Sequence, residues 1–181
     1  MLRILSVRLP VVFSVCCLAL GAAKCGPASA GSGEEVVLTS ADVCIVVSPG
    51  ASAATRLAVT EAKYFLGRIF GSEIPVADAP LPGKTNVVLG MNEWSRRAGL
   101  DPVKLPRDGF QVRTRGGNVY IAGVDDDCAD PESRNFLAHT VKVDGITKPE
   151  CLWGPQFQRG TMFGVYDFLE RFAGVRMYFP G

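Results

Sequence analysis

Asp125, Asp126, Asp127, Asp130 and Glu132 crowd one short stretch of the chain. Two chemistries use carboxylates in such numbers. A hard cation such as calcium needs several oxygens around it. The spacing here lacks the alternating positions and the glycine turn of the helix–loop–helix calcium motif. A solvated turn, held by local bonds from side chain to backbone, is the expected reading. Glycoside hydrolysis needs two carboxylates held apart across a scissile bond. These acids are near neighbours in one loop, and no second acid with a clear partner stands out elsewhere. The chain alone is therefore expected to be non-catalytic. His139 is the single histidine, and no serine or cysteine sits in a nucleophile elbow, so a catalytic triad has no support.

Other residues in and beside the same stretch invite contact rather than catalysis. Trp153 lies near Phe157 and could stack on a sugar or a neighbouring domain; it could equally fold onto the core. Arg159 could pair with a carboxylate of a following domain, cover Phe157, or pair with the acidic stretch. Cys128 and Cys151 flank the stretch and could form a disulfide in an oxidising compartment, although connectivity does not follow from sequence. Cys44 sits in an apolar run and reads as a buried free thiol. No Cys-x-x-Cys or Cys/His cluster suggests zinc. Gly116-Gly117 lacks the lysine of a phosphate loop and belongs to a hairpin. Neither cofactor nor metal is expected.

These residues must be held by ordinary secondary structure. Glu35 to Ser40 and Val43 to Val47 are short β-branched runs, read as strands and closed by Ser48-Pro49-Gly50. Ala54, Ala58, Ala62, Phe65, Leu66 and Ile69 recur at helical spacing, with Arg56, Thr60 and Lys63 opposite. Ser48 or Ser52 can cap that helix and Gly71 can end it. Ile74 to Val76 reads as an edge strand because of Pro75. Thr85 to Leu89 has the character of a buried strand. Asn92 to Gly99 reads as a short helix capped by Asn92, with Trp94 packed inward. Phe110 to Arg113 and Val119 to Ala122 make a hairpin. Residues 124 to 158 form a long irregular stretch, with a short strand at Thr140 to Val143. Thr161 to Phe172 shows a second amphipathic stripe, stopped by Gly174, and Val175 to Phe179 reads as a last strand. The expected class is α+β, a mixed β-sheet with two main helices packed on one face.

With 181 residues, 48% hydrophobic and 20% charged, the chain has ordinary globular composition and the length of one domain. Residues 1 to 30 read as a signal peptide. Arg3 and Arg8 precede an apolar run from Val11 to Ala23, and Ala28-Ser29-Ala30 offers a small-x-small cleavage pattern. The run is shorter than the roughly 20 residues of a membrane span, so no membrane contact is expected after cleavage. Lys24 before Cys25 speaks against lipidation. The segment holds Arg3, Arg8 and Lys24 and no acid. Removing three of 19 basic residues leaves 16 against 18 acidic ones, a net of −2. That balance excludes the basic footprint of a nucleic-acid binder. Residues 31 to 181 are expected to be secreted or periplasmic.

The stretch from Arg159 to Glu170 (Arg-Gly-Thr-Met-Phe-Gly-Val-Tyr-Asp-Phe-Leu-Glu), followed by Gly174-Val175-Arg176 and Phe179-Pro180-Gly181, resembles the closing motif of the alpha-glucuronidase N-terminal domain. That domain is the non-catalytic front part of glycoside hydrolase family 67 enzymes. It is similar to the domain before the barrel in family 20 beta-hexosaminidases. Asn86 to Gly90, Asp108-Gly109-Phe110 and Ile121-Ala122-Gly123 agree with the layout in order. The resemblance spans residues 36 to 181. It implies an open sheet with two helices on one face, followed by a catalytic barrel as partner. A barrel needs about 250 residues, so this chain reads as a fragment, and none of the family's catalytic acids has a counterpart in it. The expectation is an accessory domain in polysaccharide breakdown; the alternative is a stand-alone carbohydrate-binding module using Trp153.

Overall fold

β-Branched runs and two apolar helical stripes dictate a sheet with helices laid on it. The computed structural model describes residues 4–8, 34–101, 105–126, 140–143, 146–149 and 158–176. In chain order the elements are β1 (Ile4–Arg8), β2 (Glu35–Thr39), β3 (Val43–Val47), α1 (Ala53–Phe70), β4 (Val76–Ala77), β5 (Thr85–Leu89), α2 (Glu93–Arg97), β6 (Phe110–Arg115), β7 (Asn118–Gly123), β8 (Thr140–Val143), β9 (Ile146–Pro149) and α3 (Gly160–Ala173).

The main sheet has the order β4-β3-β5-β7-β6. β3 runs parallel to β4 and β5, β5 runs parallel to β7, and β6 returns antiparallel to β7. The expected α+β class with a mixed sheet is observed. Side chains alternate across it as the pleat requires. Val43 and Ile45, Val87 and Leu89, and Val119 and Ile121 enter the large core with Leu57, Leu66, Met162, Phe168 and Leu169 of α1 and α3. Cys44, Val46 and Val88 face the other side, where Trp94 and Tyr120 pack on them. Ala98, Leu100 and Ala122 extend that second layer. The two long helices thus share one face, as expected, while α2 and its neighbours cover part of the other. This explains why β3 and β5 are buried throughout rather than at every second position.

The local signals are met. Ser52 Oγ accepts a hydrogen bond from Thr55 N, and Gly71 closes α1 in the left-handed conformation at φ 68°. Asn92 caps α2 by accepting from Ser95 N. Gly174 closes α3. Gly116 and Gly117 both have positive φ, as a two-residue hairpin turn between right-twisted strands needs. The expected edge strand near Pro75 is two residues long and parallel to β3. The strand read at Thr140 to Val143 pairs with β9.

Two small pairings lie outside the main sheet, β1 with β2 and β8 with β9. β1 falls inside the segment read as a signal peptide. Its backbone pairs antiparallel with β2 from Ile4 opposite Thr39 to Arg8 opposite Glu35. β2 is tied down independently at its start. The Glu34 carboxylate accepts from Gly116 N at 2.6 Å and Gly117 N at 2.8 Å, and Thr114 Oγ1 donates to the Glu34 carbonyl. The chain is therefore anchored to the hairpin turn from Glu34 onward.

Candidate functional site

In open sheets with parallel strands, ligands bind in the crevice beyond the carboxyl ends of the strands. β3, β5 and β7 end side by side, and a cleft of about 280 Å³ opens there beside the start of α1. Ser48, Ser52, Thr55, Asn92 and Asp125 supply its polar wall. Asp125 belongs to the acidic stretch that the sequence singled out.

Asp125 and Asp126, the described acids of that stretch, turn to different partners. Asp125 Oδ2 accepts from Thr55 Oγ1 at 2.8 Å, and its Oδ1 accepts from Thr161 N at 2.8 Å. One carboxylate thereby joins the first turns of α1 and α3. Burial pushes the Asp125 carboxyl above its ordinary range, and the bonds from Thr161, Thr55 and Ser52 pull the other way. Asp126 turns back on Gln158, accepting from its backbone N at 3.0 Å and from its Nε2 at 3.2 Å. The expected solvated turn is thus corrected at both positions. At Asp125 the exposed N–H of the α3 start and the Thr55 hydroxyl offset part of the desolvation that burial imposes. Asp127, Asp130 and Glu132 lie outside the described residues. Among the described residues no group of three or more His, Cys, Asp or Glu could hold a metal ion.

The start of α3 has no cap of its own. Arg159 occupies the cap position without a side-chain bond to the helix. Asp125 serves instead, across 36 positions. Asp108, at φ 57°, accepts from Arg159 N at 2.8 Å. Thr161 Oγ1 accepts from Gly123 N, and Gly160 N donates to the Val124 carbonyl. Three glycines let the backbones meet. A Cβ at Gly123 would strike Gly160 and the Gly109 carbonyl, and one at Gly160 would strike Gly109 and Val124. Gly164, one turn later, sits where a Cβ would lie 2.7 Å from Ile121 Cγ2. The β7 strand and α3 are in backbone contact at this junction.

Ser52 and Asn92 of the cleft wall are engaged as well. Ser52 Oγ donates to Thr55 Oγ1 while accepting from Thr55 N. Asn92 accepts from Ser95 and donates to the Leu89 carbonyl. Gly90, at φ 80°, leaves room for the Thr55 side chain.

Arg159 was read as a contact residue with three open partners. Its guanidinium carbon lies 5.3 Å from the centroid of the Phe163 ring, within cation–π range, and its charge reaches Tyr166. Tyr166 of α3 hydrogen-bonds Glu61 of α1, and burial together with that carboxylate pushes the phenol far up. Glu61 is buried among apolar side chains. Sequence periodicity placed Glu61 on no face, because a charged residue at a core position is visible only when its partner across the helix pair is known. Trp153, His139, Phe157, Cys128 and Cys151 lie outside the described residues. Cys44 is a buried free thiol, and burial raises its pKa.

No family model matches this chain, and no curated protein matches it. Among solved structures it is similar to the family 115 4-O-methyl-alpha-glucuronidase BtGH115A, described as specific for decorated arabinogalactans, at 12% identity and a TM-score of 0.45. The match covers 71% of this chain and 13% of that enzyme, so the chain spans about an eighth of its length.

Proposed function

We propose that this chain is a non-catalytic accessory domain of an exported glycoside hydrolase-type protein of polysaccharide breakdown, with a signal peptide at residues 1 to 30. One observation carries the reading. The residues that resemble the alpha-glucuronidase N-terminal domain, Asp108-Gly109, Gly123 and Gly160-Thr161, meet at a single backbone junction. Their chemistry there is packing and capping. Asp125, the acid best placed in the cleft, is committed to two helix starts. Such a domain would stabilise a following catalytic barrel rather than act on substrate itself.

The experiment has two arms. The coding DNA read beyond codon 181 is expected to continue in frame into a barrel carrying two separated carboxylates. The chain itself, incubated with glucuronosyl and N-acetylhexosaminyl substrates, is expected to release no sugar. Hydrolysis abolished by Asp125→Asn without loss of folding would overturn the accessory reading.

A further inference from the structure

The cleft at the carboxyl ends of β3, β5 and β7 holds hydrogen-bonding capacity that the fold does not use. Its volume of about 280 Å³ falls just under the roughly 300–1,000 Å³ of sites for drug-sized ligands. That is room for one small ring rather than a chain. Leu89 and Met91 give the wall an apolar side. Gly50 leaves the rim bare, since a Cβ there would meet nothing within 4 Å.

The polar side can be followed hydrogen by hydrogen. Thr55 Oγ1 donates to Asp125, and Ser52 Oγ donates to Thr55 Oγ1. Thr55 Oγ1 thus accepts one bond, and Ser52 Oγ accepts one from Thr55 N. Each of these oxygens keeps one lone pair and no hydrogen. Asn92 Nδ2 gives one hydrogen to the Leu89 carbonyl and keeps a second. Ser48 Oγ, with no hydrogen bond among the described residues, can both donate and accept. A molecule that donates and accepts at neighbouring points matches this wall, and ring hydroxyls do both.

The charges select against an anion. Among the described residues no Lys, Arg or His lines the cleft. Arg56, in the first turn of α1, gives its Nη1 to the Ala51 carbonyl. Asp125 is the charged group of the wall, and Thr55 and Thr161 already hold its two oxygens. An entering carboxylate or phosphate would lose hydration beside a like charge, with no cation to offset the cost.

We propose that the cleft binds one neutral pyranose ring, its hydroxyls on Ser48, Ser52, Thr55 and Asn92 and a C–H face on Leu89 and Met91, and that it rejects the uronic acid of the same ring. No bond is made or broken. The site goes beyond the accessory reading and needs no barrel to follow.

The test titrates the full chain with the methyl β-D-pyranosides of glucose, galactose and xylose and with methyl β-D-glucuronide, read by backbone amide shifts. At least one neutral glycoside is expected to move the amides of residues 48–52, 89–92 and 123–125 with a millimolar dissociation constant. The glucuronide is expected to bind at least about tenfold more weakly than that glycoside. Gly50→Leu places a side chain at the rim and is expected to weaken the neutral glycoside about tenfold, with the β6 and β7 amides unmoved. No response to any of the three at about 100 mM, equal binding of the glucuronide, or unchanged affinity in Gly50→Leu overturns the proposal. Should Gly50→Leu disturb the β6 and β7 amides, Ser48→Ala decides instead, and unchanged affinity there overturns it. Failure of binding leaves the accessory reading standing, because the coding DNA beyond codon 181 tests that reading alone.

Discussion

α1 and α3 lie on the same face of the sheet and share one core, yet they begin in opposite ways. α1 carries its own start. Ser52 caps it from the adjacent position, and Thr55 adds its hydroxyl in the first turn. α3 borrows its start from elsewhere. Asp125 and Asp108 supply the acceptors, and Gly109, Gly123 and Gly160 give the space in which the three segments meet. A helix with a local cap tolerates change around it. A helix capped from a distance makes distant residues into one unit, and their substitutions will not add.

The largest expected effect comes from filling the shared space. Gly160→Ala would drive a methyl group into the Gly109 carbonyl and the Val124 backbone, neither of which can rotate away. A loss of about 3 kcal/mol is expected by denaturant unfolding; a neutral result would mean that α3 can shift off β7 freely. Next is Asp125→Ala, which leaves Thr161 N and the Thr55 hydroxyl without their acceptor. It should cost about 2 kcal/mol. Ser52→Ala removes only the local cap of α1 and should cost about 1 kcal/mol. If Ser52→Ala proved the more damaging of these two, the contrast between the helices would be broken.

The smallest effect is in the pH dependence. Burial holds the Asp125 carboxyl above its ordinary value. Its favourable contribution from this source is complete below the unfolded pKa and is lost as pH rises through the folded one. The chain should therefore gain stability relative to Asp125→Asn as pH falls from neutrality through that window. Asp167 shifts in the same direction, chiefly by burial, and is present in both proteins, so unfolding midpoints of the pair isolate Asp125. A difference that stays constant with pH would show that Asp125 carries no such shift.

The same contrast explains what could be read in advance. α1 was legible because everything that defines it lies within its own residues: the alanine-rich stripe, Ser52 before it and Gly71 after it. The stripe of α3 and its Gly174 stop were equally plain, and so was the hairpin turn at Gly116-Gly117. The class of sheet followed from these. The order β4-β3-β5-β7-β6 did not, because parallel neighbours are chosen by packing between distant segments rather than by a turn. The role of Asp125 was hidden for the same reason. Beside Asp126 and Asp127 it looks like one of a run of surface acids, and only its position 36 residues from Thr161 in sequence, yet in contact with it, reveals a cap. Glu34 likewise carries no local sign in sequence of its bonds to a turn some eighty residues away.

Asp125 also sets a clock. A chain is made from its amino end, so this carboxylate leaves the ribosome well before the helix start it serves. With 36 residues between them and synthesis at about 5–20 residues per second, the wait is about 2–7 s. During that interval β3, β5 and β7 have only α1 to cover a face built for two helices. A nascent chain in this condition stays unfinished and open to a chaperone's grip until Thr161 arrives.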